Sequence, residues 1–304
     1  MKQGKQTALL GSVAVLGAGA LWGSMGVFAN RLYDLGYSPL GVCFLRSFFA
    51  LLLFGVWLLL FNRTAFLVRI KDLWCFLGTG IASLAFFNIC YFTAIDRTTM
   101  AIAAILLYTS PVFVLLISRV LFAEKMTPQK LVAILLVLGG CVLISGVLGN
   151  DASLGAVDLL IGLGAGLGYA LYSIFGRFAI RRGYGSATIN FYTFLFSSLG
   201  LFPLADLSRV TSMTSSHPQN VLTVLLLALV ATLLPYLLYT WGLLHTENGI
   251  ASILAGIEPV VAALFGVLLL GEPLPKGVSL LGMLFILVAI IIPNLGQRKG
   301  GADR

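Results

Sequence analysis

Charge is what this sequence has least of. Asp, Glu, Lys and Arg make up 10% of its 304 residues, where an ordinary soluble protein carries roughly a quarter, so a water-soluble fold cannot be clothed from them. Histidine is nearly absent: His217 and His245 are the only two, both beside expected loops. With no HExxH pair and no phosphate-binding loop, the chain shows no hydrolytic, metal or nucleotide apparatus, and neither enzyme activity nor a cofactor or metal is expected. The four cysteines, Cys43, Cys75, Cys90 and Cys141, stand singly in or beside apolar runs, which excludes a disulfide framework. Acids (11) are scarcer than bases (19), giving a net charge of +8. The bases are scattered through short connections and form no stripe with aromatics, so no nucleic-acid partner is expected.

What fills the space is hydrocarbon. Hydrophobic residues make up 59% of the chain and the mean hydropathy is +1.03. Apolar runs of about 20 residues, enough to cross a bilayer core, recur from Ala8 almost to the C-terminus. The expected fold class is an all-α polytopic membrane protein of ten transmembrane helices, at about 8–30, 39–61, 73–95, 100–122 and 129–148, then 156–178, 187–205, 220–243, 249–270 and 277–295. The segment 205–219 is the connection least defined by hydropathy. Lys2 and Lys5 before an apolar stretch imitate a signal peptide, but the stretch runs on through Trp22 to about Ala29, too long for a signal core. With the N-terminus inside, twelve basic residues fall in inner segments and four (Arg31, Arg97, Arg209, Lys276) in outer ones. By the positive-inside rule both termini, 1–7 and 296–304, are cytoplasmic tails of a multi-pass protein of the inner membrane.

The chain also repeats itself. Residues 101–125 laid over 249–273 give nine identities in 25, among them Pro111 on Pro259 and Glu124 on Glu272. A shift of 147 puts Gly19 on Gly166 and Gly36-Tyr37 on Gly183-Tyr184. The expected units are 8–148 and 155–295, five helices each. Because five is odd, the second copy enters the bilayer from the opposite side, and such inverted repeats around a central cavity are the structural basis of alternating access.

These residues resemble a known family. Gly256 to Leu274, GIEPVVAALFGVLLLGEPL, is similar to the signature region of ten-helix EamA-type carriers of the drug/metabolite transporter superfamily. The first-half copy, Ser110 to Lys125, matches in place, as does Arg46 in FLRSFF near the start of the second span. The resemblance implies two EamA-type units around a cavity, efflux of amino acids or related small metabolites, and no ATP site. It further implies that the first four spans of each half enclose the cavity while the fifth and tenth pack outside.

Several side chains are candidates for handling cargo. Glu258 lies about ten residues into the ninth span, followed by Pro259, which loosens the helix. An acid at that depth is costly and points to proton, ion or substrate handling, or to structural pairing. Its repeat counterpart is Ser110 before Pro111, so the acid is on one side only. Arg46 can bind a substrate carboxylate, neutralise an acid or snorkel; Arg119 and Arg177, near cytoplasmic ends, read as snorkelling. Trp22, Asn88, Tyr91, Tyr108, Tyr172, Tyr239 and Trp241 are further candidates for the cavity wall, with Tyr169, Asn190 and Tyr236 beside them; such a lining suits small amphiphilic solutes. Pro111, Pro259, Glu124 and Glu272 read as hinge or capping residues. Gly162, Gly164, Gly166 and Gly168 read as a helix-packing stripe.

The partners expected are therefore a small-molecule substrate, the lipid bilayer and protons as a candidate coupling ion; oligomeric state has no signature. An organophosphate or nucleotide-sugar carrier is the alternative cargo reading and needs more cavity cations than Arg46. A lipid-modifying membrane enzyme or a non-transporting scaffold are the alternatives outside transport.

Overall fold

The structure, a computed structural model, describes residues 2–145, 147, 155–216, 220–271 and 276–299. No strand occurs among them. The first span is bent into α1 (Lys2–Gly23) and α2 (Met25–Asp34), and the second is α3 (Pro39–Phe61). The third runs from α4 (Leu73–Leu77) through a π-helical stretch, Gly78–Ala85, into α5 (Phe86–Arg97). The fourth is broken into α6 (Met100–Leu107) and α7 (Ser110–Phe122), and the fifth is α8 (Pro128–Ile144). The second half repeats the plan. It runs through α9 (Ala156–Arg181), α10 (Ser186–Leu201), a surface helix α11 (Leu207–Ser216) and α12 (Asn220–Ala228). A π-helical stretch, Leu229–Leu233, leads to α13 (Leu234–His245), α14 (Asn248–Ala255), α15 (Glu258–Leu270) and α16 (Val278–Lys299). Eight segments are long and apolar enough to cross a membrane, and Pro128–Ile144 and Val278–Ile292 are shorter apolar helices. The protein is thus an all-α, multi-pass membrane protein of about ten helices.

Local sequence explains the starts and breaks. Ser38, Thr99 and Thr127 each accept a backbone N–H three residues on, capping α3, α6 and α8, and Pro39 and Pro128 follow two of these caps at the one helical position that needs no N–H donor. Pro111 and Pro259 sit in the first turns of α7 and α15. Because proline lacks the N–H that would continue the ladder, spans four and nine break just before it, at 108–109 and 256–257.

The irregularities recur at the repeat spacing. Gly36 and Gly183 share a left-handed backbone, φ 92° and 87°, and α7 and α15 end on left-handed Ala123 and Gly271. The π-helical stretches end at Ala85 and Leu233, 148 positions apart by these numbers. Packing interleaves the halves. On α3 and α10, Ser47 meets Ser197 at 3.3 Å while Gly41 abuts Ala205 and Gly55 abuts Phe191, so these equivalent helices lie antiparallel. α8 and α16 do the same around Gly140 and Gly282: a β-carbon on Gly282 would stand 2.6 Å from the Gly140 carbonyl oxygen. With lipid as solvent, such small-residue contacts supply helix association that the hydrophobic effect does not. Of the expected glycine stripe, Gly162 and Gly166 seat α9 against Leu106 and Thr109, and Gly164 and Gly168 seat it against Cys90 and Phe86.

The segment 205–219, undefined by hydropathy, forms α11 as far as Ser216. Its Arg209 Nε donates to the Gly36 carbonyl at 2.5 Å, and Thr214 meets the Tyr37 hydroxyl at 3.1 Å, so it covers the corner between α2 and α3. Glu272 and His217 lie outside the described residues.

Candidate functional site

A cavity of about 700 Å³ lies between the halves. It opens at the end of the bundle where Asn30, Ile95, Met100 and Lys276 stand, and its floor is Trp22, Tyr169 and Tyr236. α6 and α15 face each other across it through Met100, Ala104 and Leu107 on one side and Pro259, Ala262 and Gly266 on the other. The elbow between α1 and α2 forms a third wall. Gly23, at the elbow, lets α15 approach closely: a β-carbon there would stand 2.9 Å from the Glu258 carbonyl oxygen. The expected exclusion of spans five and ten needs correction, because Ile144 of α8 and Ser279 and Met283 of α16 reach the rim, whereas no residue of α10 lines the cavity. α10 is drawn away by its packing on α3 and on the Gly78–Ala85 stretch, where Thr193 meets Thr79 at 2.6 Å.

Two opposite charges face this space, one from each half. Arg46 of α3 is 2% exposed, so it does not snorkel. Its Nη2 donates to the Asn88 side-chain oxygen at 3.1 Å and its Nη1 points to the Met25 sulfur at 3.6 Å. Its Nε is buried without a partner among the described residues. Glu258 opens α15 at the helix break, where the positive end of the helix favours an anion, and the Tyr169 phenol interacts with its carboxyl. Ion pairs among the described residues join Arg69 and Arg182 to Asp72, Arg97 to Asp158 and Lys130 to Glu247; Arg46 and Glu258 are not joined. The repeat supplies an internal comparison. Thr193 holds the position of Arg46 in the second half and Ser110 that of Glu258 in the first, both buried and neutral. Each charge thus occurs once, in one half only, with a neutral buried residue at its repeat equivalent.

Of the other candidates, Trp22, Tyr91 and Tyr108 line the cavity. Asn88 does not; it sits behind Arg46, anchored by a 2.6 Å bond to the Leu84 carbonyl. Tyr172 and Tyr239 lie beneath the floor in a buried cluster, bonded to Thr240 at 2.5 Å and Ser173 at 2.8 Å, with Trp22 stacked edgewise on Tyr236 at 5.1 Å. Asn190 joins the same cluster through Tyr172 at 3.2 Å. Ser110 is 3% exposed and does not reach the cavity. Trp241 is a correction: it is 37% exposed and stacks on His245 at 4.3 Å on the outside. Two residues beyond Tyr239 is about 200° around a helix, which turns Trp241 away from the floor. Sequence reasoning missed Met25, Asn30, Tyr33 and Lys276 on the wall. Tyr33 stands eleven residues after Trp22, within about 20° of it on a regular helix, so helical spacing could have found it, whereas Asn30 lies about 80° round and is not announced by that spacing.

The far end of the bundle is closed by polar contacts between halves. The Glu124 carboxylate accepts the backbone N–H groups of Asn248 at 2.9 Å and Gly249 at 3.1 Å, capping α14. Asn248 also donates to Ser118 at 3.1 Å and accepts from Arg177 at 2.8 Å. Arg177, expected to snorkel, is instead held by Asn248 and by the Thr246 carbonyl. Lys130, 3% exposed, reaches Glu247 at 2.5 Å. At the open end the counterparts of Asn248, Ser118 and Arg177 are Met100, Gly266 and Asn30, all of which line the cavity. One pair of helix ends, α7 with α14, is thus latched, while its repeat equivalent, α15 with α6, stands apart.

A bundle of interleaved halves, latched at one end and open at the other onto an aromatic cavity with separated charges, defines a carrier of small solutes. The chain belongs to the EamA-like transporter family, whose model matches residues 9–146 and again 157–295. An uncharacterized transporter of Archaeoglobus fulgidus is 31% identical over 93% of this chain and 95% of its own. The uncharacterized transporter YwfM of Bacillus subtilis is 26% identical over 95% of both chains. The threonine/homoserine exporter RhtA of Escherichia coli is 30% identical over 71% of this chain and 70% of its own. A crystal structure 18% identical in sequence superposes with a TM-score of 0.73, covering 95% of this chain and 98% of that one, which shows the fold.

Proposed function

We propose that this transporter exports small zwitterionic metabolites, amino acids foremost, across the inner membrane by alternating access between two inverted five-helix units, 8–148 and 155–295. The observation that carries the reading is the pair of unjoined charges at the cavity wall. Arg46 offers a guanidinium with an unused donor to a carboxylate, and Glu258, flanked by Tyr169, Tyr91 and Tyr108, offers an anion in an aromatic surround to an ammonium group. The antiparallel seating of α3 on α10 and of α8 on α16 supports inversion, since equivalent helices lie antiparallel about an axis in the membrane plane. With twelve inner and four outer basic residues, the open end carrying Lys276 is the outer face and the Glu124 latch is the cytoplasmic gate. Threonine and homoserine, the cargo named for the relative in Escherichia coli, are zwitterions of this kind.

The organophosphate reading gains a second cation in Lys276 at the mouth, but Glu258 on the same wall repels a polyanion. Calorimetric binding of the twenty standard amino acids and of glucose 6-phosphate to purified protein decides between them. Amino acids bind and the phosphate ester does not; binding of the ester alone would overturn the assignment.

A further inference from the structure

Resting on that reading, we infer that Asn88 is the residue that positions Arg46 for cargo: it orients the guanidinium toward the cavity while leaving its charge free for a substrate carboxylate. A buried arginine normally has an acid beside it, because an unpaired charge in an apolar setting is costly. Here the partner is an amide. The Asn88 oxygen accepts from Arg46 Nη2 at 3.1 Å and from the Cys43 thiol at 3.1 Å, and its nitrogen donates to the Leu84 carbonyl at 2.6 Å. That last bond fixes which end of the amide faces Arg46, since the nitrogen is already committed to the carbonyl. Asn88 is 1% exposed and lies just past the π-helical stretch that widens the third span.

Both side chains in contact with the guanidinium, through the Asn88 oxygen and the Met25 sulfur, are neutral, and Glu258, the acid on the same cavity wall, is not joined to it. A carboxylate at position 88 would satisfy Arg46 internally and compete with cargo; the amide holds the geometry without neutralising the charge. The second half omits the arrangement, with Thr193 at the place of Arg46 and Tyr236 at that of Asn88, so the repeat fold itself does not require it.

The test uses the full-length protein in detergent and, as probes, the twenty standard L-amino acids, followed by the C-terminal amide of the tightest binder. The amide keeps the ammonium and the side chain and removes only the carboxylate charge. Wild-type protein prefers the acid over its amide by at least about tenfold, the worth of one charge-assisted bond. Asn88→Asp, which is isosteric, lowers affinity for the acid by about tenfold or more and leaves the amide's affinity unchanged or higher, abolishing the preference. Asn88→Ala lowers the preference severalfold with the amide again unaffected. If both variants weaken acid and amide equally, Asn88 is a packing residue and the inference is overturned. If wild-type protein binds none of the twenty, the cargo reading fails first, a result distinct from retained binding with an unaltered preference.

Discussion

Removing the Glu124 carboxylate should open the latched end. In Glu124→Ala the N–H groups of Asn248 and Gly249 lose acceptors at 2.9 and 3.1 Å, and α14 loses its cap. Loss of a capping acceptor in a partly buried setting costs about 1–3 kcal/mol. When α14 has moved away from α7, water takes the place of the carboxylate, so the cost falls on the latched state alone. At about 1.4 kcal/mol per tenfold, the population opened at the latched end rises by about 5- to 140-fold. The reporter is a cysteine at Ser252, on α14 and 6% exposed, in a background with the four native cysteines replaced. Its reaction with a membrane-impermeant maleimide added to the latched side should accelerate by that factor, while a cysteine at Met100, 60% exposed at the other end, slows. Unchanged rates at both sites would mean that the Glu124 contacts do not hold the gate.

Three further outcomes follow from the site. Glu258→Gln keeps size and removes the ionisable group, so it should fold normally and lower zwitterion affinity by about tenfold or more; retained binding with loss of pH-driven flux would instead make Glu258 the proton carrier, and ligand binding measured beside proteoliposome flux separates the two. Met100→Asn, which places at the open end the residue that latches the closed one, should favour closure there and slow labelling of a cysteine at Asn30. Trp241→Leu, on the outer surface with His245, should leave transport within about twofold of wild type; a larger loss would return Trp241 to the pathway.

Much of this was legible in the sequence because membrane segments and internal repeats leave periodic marks. The proline pair Pro111 and Pro259 located both helix breaks, and Glu258 and Arg46 stood out because charges in apolar runs are rare. Asn88 and Tyr172 stand out in the sequence by polarity alone, and polarity does not say whether a side chain faces a cavity or a neighbour. Asn88 proved to face Arg46, and Tyr172 Thr240. Trp241 carries no phase in the sequence: an apolar helix with aromatics all round gives no face to choose. Arg177 reads as snorkelling in the sequence because its acceptors, Asn248 and Thr246, come from the other end of the second half and are brought to it only by the fold. Lys276 reads as a topology signal in the sequence, and its place at the cavity mouth is set only by the fold.

The central claim, that two unjoined opposite charges in one alternating cavity carry a zwitterion across the membrane, is tested most directly by exchange flux in proteoliposomes. Vesicles loaded with unlabelled L-threonine and diluted into labelled L-threonine should accumulate label with wild-type protein. Accumulation should fall by about tenfold or more in both Arg46→Met and Glu258→Gln, with the variants matching wild type in thermal stability. Wild-type exchange in both variants would contradict the account.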